Sequence, residues 1–366
     1  MKNVRSFGFT ALVILWAVLT LGGWFGPRKD ISESERRPLA QMPEIKTETI
    51  LNGKFMGAFE DFTLDQFPLR DTFRQLKSLF HYNVLMQSDN NGIYIAGGFA
   101  VKQEYPLNQT SVNHALGKLN HIYEKYLKDS GSQVVMSIVP DKGFYLAEQS
   151  GHLAPDYEAL FETVRAEMPW AAHVDITDCL TADSYYYTDT HWRQEKIAAV
   201  ADRLCEALGV SVFAEGELTP QLLERPFYGV YYGQAALPMD AEPMYVLRGD
   251  ILDGCTVYDH ETGKTGSIYD MTRLDSRDLY DVYLSGARSL LAIENPAAAT
   301  DRELIVFRDS FGSSLIPLLV KDYARVTVVD IRYIASDLLG NFIDFRGQDV
   351  LMLYSTLILN SSNSLK

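Results

Sequence analysis

Two short blocks of this sequence hold residue types that can move a proton and form an ester. The first is Asp189-Thr190-His191-Trp192, where residues two apart on an extended segment point the same way. A carboxylate that accepts the imidazole Nδ1 proton fixes the tautomer and leaves Nε2 free to act as a base. The same residues also read as a helix-capping Asp beside a surface His. A metal site finds little support, because His173 sits in an expected strand and no other His stands at ligand spacing. The second block is Arg308-Asp309-Ser310-Phe311-Gly312-Ser313-Ser314, between the apolar runs LIVF and LIPLLV. A serine at such a strand-to-helix turn lies at the carboxyl edge of a sheet, and Pro317, best tolerated in a helix's first turn, starts the helix near Ser313 or Ser314. Ser310 then stays in the turn, with the amides around Ser310 to Gly312 free as oxyanion donors. The competing reading is a helix N-cap. Each block supplies what the other lacks, a nucleophile or its base.

The elements that must position these blocks follow from hydrophobic patterning. From Gly131 onward compact apolar runs alternate with amphipathic stretches, as in α/β units around a mostly parallel sheet. Strands are expected at 133–140, 171–177, 304–307, 325–331 and 349–355, with helices at 156–168 and 197–209, the latter ended by Gly209. Residues 211–300, rich in Gly, Pro and Tyr, read as a β-rich insertion. Earlier, 110–129 is helical, Asn91-Gly92 opens a turn, and 46–88 has helical periodicity with Phe55, Phe59, Phe62, Phe67, Leu69, Phe73, Leu76 and Leu79 as core positions.

Composition narrows the classes. The chain has 366 residues, 47% apolar and 22% charged, enough for one elaborated domain or two modest ones. Its net charge of −15 argues against nucleic acid as a partner. Three cysteines without a CxxC pair exclude a disulfide-built scaffold and a Cys-rich zinc site, although Cys179 and Cys205 flank the first block and could pair. Phe7 to Phe25 are uncharged and mostly apolar, close to the ~20 residues of a membrane-crossing helix. Lys2 and Arg5 precede this run and no small-x-small cleavage site follows, so 1–25 is expected as an uncleaved signal anchor, with a cleaved signal peptide as the alternative. Arg28, Lys29, Arg36 and Arg37 beyond it compete with the N-terminal pair and leave orientation open. Residues 26–45 read as a polar tether and 46–366 as the globular domain.

With Val139-Pro140-Asp141-Lys142 and Phe67-Pro68-Leu69-Arg70, the two blocks together resemble the DHHW protein family. Ser32-Glu33-Ser34-Glu35-Arg36-Arg37-Pro38-Leu39 looks like that family's post-anchor stretch, with Arg36 where Asn is usual. More broadly, the chain is similar to the alginate O-acetyltransferase group of SGNH-hydrolase-like proteins. The resemblance implies an SGNH-like α/β fold, with helices on both faces of the sheet, and a Ser310-His191-Asp189 triad. It further implies a polysaccharide acceptor, a membrane-bound acyl donor protein, an extracytoplasmic location, and no cofactor or metal. SGNH hydrolases present the nucleophile after the first strand and the Asp/His pair after the last, so the chain would be circularly permuted.

Departures are visible as well. The usual Gly and Asn oxyanion donors are replaced by Asp330-Ile331-Arg332-Tyr333 and Tyr354-Ser355-Thr356, so Arg332 or Tyr333 would substitute, or both are structural. Position 190 is Thr, as in the alginate-type block, and Tyr283-Leu284-Ser285-Gly286-Ala287-Arg288 resembles a degenerate Gly-Gly-Asn stretch. Gly312, Arg332, Tyr333 and Trp192 are therefore candidates for oxyanion or substrate contact, Trp192 either as a sugar platform or as packing that orients His191. Acidity favours a neutral or amino-sugar acceptor over a polyuronate. The expected activity is O-acetyl transfer through a serine ester. An esterase with the same triad and a non-catalytic glycan-binding scaffold are the alternatives.

Overall fold

The computed structural model describes residues 2–32 and 34–366, with side chains from Phe7 onward. Glu33 of the post-anchor motif lies outside the described residues, as do the side chains of Lys2 and Arg5. The chain divides into two compact units, one of residues 1–91 with 232–239 and the other of residues 92–231 with 240–366.

In the first unit, a helix from Lys2 to Phe25 carries the apolar run, long and apolar enough to cross a membrane; a signal sequence has the same character. Residues 26–45, expected as a tether, hold a short hairpin. Ile31–Ser32 pairs antiparallel with Arg37–Pro38. The guanidinium of Arg37 donates twice to Asp65, at 2.8 and 2.6 Å, and Arg70 reaches Glu35 at 2.6 Å. These charge-assisted pairs fix the segment against the helices Lys54–Asp65 and Arg70–Asn83. Of the apolar positions expected as core there, Phe62 is buried, whereas Leu69, Phe73, Leu76 and Leu79 are exposed. The periodicity correctly marks helices, but among the described residues the stripe on the second helix has no apolar layer over it.

The second unit is built on an eight-stranded sheet. Its strands, numbered along the chain, are β1 Val134–Val139, β2 Ala172–His173, β3 Thr256–Asp259, β4 Lys264–Gly266, β5 Leu290–Glu294, β6 Glu303–Arg308, β7 Arg325–Val329 and β8 Asp349–Ser355. Their spatial order is β4-β3-β5-β7-β6-β8-β1-β2. From β7 to β2 every pairing is parallel; β5 and β3 join antiparallel, as does the β3–β4 hairpin. The insertion is thus no separate body, because three of its strands extend the central sheet. Short returns such as the 260–263 turn force antiparallel pairing, which limits the parallel part to five strands.

Alternate residues of the parallel strands enter two cores on opposite faces. Val135, Leu304, Val306, Leu351 and Leu353 pack on one face with the helix Ala198–Leu208. Met136, Ile305, Phe307, Val350 and Met352 pack on the other with the helices Gln109–Ile122 and Tyr157–Glu167. A strand covered on both faces reads as a continuous apolar run, which is why these segments stand out in the sequence. The expected strand at 171–177 shortens to two residues at the sheet edge. Asn108 caps the next helix by accepting from the Ser111 amide at 3.1 Å. All three cysteines are free, so Cys179 and Cys205 form no disulfide.

Candidate active site

Strand β6 delivers the serine block. Past the buried Arg308, Asp309 folds its carboxylate back onto the turn. Oδ1 accepts from the Phe311 amide at 3.0 Å and Oδ2 from the Ser355 amide at 2.7 Å, tying the turn to the end of β8. Ser310 is left half-buried at the tip. A short helix starts at Gly312 and gives way to a 3-10 turn containing Pro317, so the proline interrupts the helix rather than opening it.

The free amides expected around this turn are largely taken. Besides Phe311, the Gly312 amide donates to the Asp309 carbonyl at 3.1 Å and the Ser313 amide to the Ser310 carbonyl at 3.2 Å. The amide of Ser310 itself is the donor not used within the turn. The Gly312 amide is thus engaged within the turn. A Cβ there would lie 2.7 Å from Cβ of Arg308, so glycine is required by close packing.

The Asp/His block lies in the segment that follows β2. Tyr185 and Trp192 bridge antiparallel and the Tyr186 amide donates to the His191 carbonyl at 3.1 Å, which closes residues 187–190 into a tight tip. Asp189, fully buried, accepts from the His191 amide at 3.0 Å and shares its Oδ1 with Nδ1 of the same imidazole at 2.6 Å. With an acidic acceptor at Nδ1 the neutral ring carries its proton there. Its Nε2 then accepts from Ser310 Oγ, 2.8 Å away. Asp189, His191 and Ser310 form one continuous hydrogen-bonded line.

Three further contacts lock the two blocks together. Trp192, fully buried, donates its indole N–H to the Phe311 carbonyl and to Ser314 Oγ, both at 3.0 Å. It is packing, not a sugar platform. Gln194 donates to the Ser314 carbonyl at 2.8 Å. Tyr280 stacks on the His191 ring, centroids 3.8 Å apart and planes within 6°, and its hydroxyl meets Ser314 Oγ at 2.8 Å.

Arg332 and Tyr333 follow β7, the neighbour of β6, so the parallel register carries them to the same sheet edge as Ser310. Arg332 Nε and Nη2 hold the buried Asp330 at 2.9 and 2.6 Å, and the guanidinium lies over the Tyr333 ring, 5.4 Å from its centroid. Tyr333 is exposed. Asp330 also stands 3.4 Å from Arg308, so Arg332 is part of a charge network under the turn.

Several site residues escape the sequence reading because they belong to the insertion. The Val230 amide donates to Asp189 Oδ2 at 2.8 Å, and a Cβ on Gly229 would fall 2.3 Å from the Asp189 backbone. The buried Glu242 accepts from the Tyr187 and Thr188 amides. Nothing in a lone Gly, Glu or Tyr of a β-rich stretch signals such contacts. Lys142, by contrast, stands in the Val139-Pro140-Asp141-Lys142 stretch and is buried beside this tip. Among the described residues no group of three or more His, Cys, Asp or Glu side chains is placed to hold a metal.

No protein-family model and no curated protein matches the sequence. Solved structures do match in fold. The crystal structure of a DHHW family protein from Eubacterium siraeum superposes with a TM-score of 0.62 at 22% identity, over 75% of this chain and 94% of its own. Bacillus cereus PatB1, in a structure with a sulfonyl adduct, gives 0.56 at 15% identity over 73% and 95%. The O-acetyltransferase domain of Pseudomonas putida AlgJ gives 0.45 at 15% identity over 74% and 92%.

Proposed function

We propose, for a chain that has the fold of a DHHW family protein, that it is a membrane-anchored, extracytoplasmic O-acetyltransferase acting through an ester on Ser310. The observation that carries this reading is the Asp189–His191–Ser310 line, at 2.6 and 2.8 Å. The strand order supports an SGNH-like fold in permuted form. Counting β6, β7, β8, β1 and β2 as strands one to five, the parallel part runs 2-1-3-4-5. The nucleophile then follows strand one and the Asp/His pair strand five, the order expected of SGNH enzymes. The sequence resemblance to the alginate O-acetyltransferase group supplies the transferase class, the glycan acceptor and the membrane-bound acyl donor. The apolar helix at the N-terminus is the proposed anchor.

In the first half-reaction Ser310 Oγ attacks the acetyl carbonyl while its proton passes to His191 Nε2. The tetrahedral oxyanion is received by the Ser310 amide, with Arg332 or Tyr333 as a second donor. Collapse breaks the bond to the donor's leaving group, which takes the proton from His191. A sugar hydroxyl then loses its proton to Nε2 and attacks the Ser310 ester. Its collapse returns the proton to Oγ and releases the acetylated sugar. Asp189 keeps Nδ1 protonated and stabilises the imidazolium in both halves.

The test is incubation of the protein with a small acetyl ester and a panel of neutral, amino-sugar and uronate glycans. Acetylated glycan formed by the wild type and absent with Ser310→Ala is the expected outcome. Free acetate alone, unaffected by any glycan, would establish the esterase instead, and neither product would leave the scaffold reading.

A further inference from the structure

We propose that Lys142 and Glu242 act as paired positioning residues, an oppositely charged clamp that sets the direction of Asp189 and His191 by gripping the peptide groups just before them. This inference rests on the triad reading above. Lys142 Nζ donates to the carbonyls of Tyr186 and Tyr187, at 3.0 and 3.4 Å. From the insertion, Glu242 Oε2 accepts from the Tyr187 amide and Oε1 from the Thr188 amide, both at 2.7 Å. The Tyr186 carbonyl and Tyr187 amide belong to one peptide plane, and the Tyr187 carbonyl and Thr188 amide to the next. A buried cation therefore holds the oxygen ends of two consecutive planes, and a buried anion holds their hydrogen ends.

Both charges are removed from water, with Lys142 2% and Glu242 5% exposed. The Tyr231 and Phe99 rings lie 5.1 and 5.9 Å from the ammonium. Turning either plane over would aim a carbonyl at the carboxylate and an N–H at the ammonium, so one orientation is selected. Glu242 is also fixed from its other sides: Thr188 Oγ1 donates to it at 2.6 Å and Arg193 at 3.2 Å. The Thr188 hydroxyl in turn accepts from the Gly229 amide at 2.8 Å, continuing the grip to the residue packed on Asp189. All four acceptor contacts need a carboxylate. An amide at this position would present an NH2 group to donors.

The experiment measures the rate at which an arylsulfonyl fluoride labels Ser310, located by mass, together with the melting temperature. The variants are Lys142→Met, Glu242→Gln and the double substitution, in the full chain in detergent. Lys142→Met leaves the two carbonyls without their donor and Glu242→Gln turns an NH2 group toward donors, so each single variant loses stability. The double variant, in which neither end of the planes is gripped as before, labels Ser310 about 100-fold more slowly than wild type. A folded double variant that labels within about threefold of wild type would overturn the proposal, since misplacement of the base costs far more.

Thr188 supplies a second readout that leaves both charged side chains in place. Thr188→Val is expected to slow labelling about tenfold and Thr188→Ser to restore it, on the scale of a lost positioning contact. Equal rates for wild type and Thr188→Val would also count against the clamp. Failure of the folded wild type to label at Ser310 would instead remove the triad reading.

Discussion

The indole N–H of Trp192 donates to the main-chain carbonyl of Phe311 at 3.0 Å, joining the residue after the base to the residue after the nucleophile. Both halves of the site thus share a fully buried hydrogen bond that no solvent can replace. Trp192→Phe keeps most of the packing and removes the donor, leaving the Phe311 carbonyl buried. The expected cost is about 1–3 kcal/mol, read by denaturant unfolding, with slower Ser310 labelling in the folded protein. Unchanged labelling would show that the two blocks hold their places without this bond.

Asp189→Asn tests the carboxylate itself. The side-chain amide can offer its oxygen to Val230 or to the imidazole, but not to both, and the imidazole loses the acceptor that fixes its tautomer. A drop in acyl transfer of about 10⁴ is the scale expected for such a loss. Equal rates for wild type and variant would remove Asp189 from the triad.

Tyr280 separates stacking from hydrogen bonding. Tyr280→Phe retains the ring against His191 and gives up the Ser314 contact, a loss of about 0.5–1.5 kcal/mol in stability with acyl transfer near wild type. Tyr280→Ala empties the space beside the imidazole, and large-to-small changes of this kind cost about 3–5 kcal/mol. Acyl transfer at a temperature where both variants are folded should fall far more for Ala than for Phe.

Gly229→Ala places a methyl 2.3 Å from the Asp189 backbone, so the tip carrying the base must move. Overpacking of this kind costs about 1–3 kcal/mol. A loss of kcat with binding of a non-reactive glycan intact is expected, and kcat equal to wild type would show that the tip absorbs the shift.

Burial lowers the Lys142 ammonium to about 7, opposed by the nearby Asp189, Glu242 and Asp141 carboxylates. Its folded value lies below its unfolded one, so between about pH 7 and the ordinary lysine value of ~10.4 the unfolded chain binds the extra proton. Stability from this group therefore rises with pH across that window, and its penalty is complete below it. Urea midpoints should show the rise in wild type and lack it in Lys142→Met. The buried Tyr231 hydroxyl beside it is raised by burial and titrates above this range.

What could be read from sequence divides along physical lines. β6, β7, β8 and β1 are covered on both faces, so their apolar runs are continuous and unmistakable. Ser310 and the Asp189/His191 pair stand in short blocks whose residue types advertise proton transfer. Gly229, Val230, Glu242 and Tyr280 do not, because two of them act through backbone or absence of a side chain and the others through partners far along the chain. The exposure of Phe73 and Leu76 was equally invisible: periodicity identifies an apolar face, not what lies against it. The hairpin in the post-anchor segment is hidden for the opposite reason, since Arg37 and Glu35 look like solvated charge until Asp65 and Arg70 are brought beside them.

Strand β8, Asp349–Ser355, is the most C-terminal of the sheet but fills the place between β6 and β1. During translation the edge of β1 therefore stays open until residues 349–355 have been made. The base would be made long before the nucleophile, and the strand that pins the Ser310 turn through its Ser355 amide comes last. A chain halted shortly before that strand would hold every catalytic side chain and still lack the sheet partner that joins the two halves of the site.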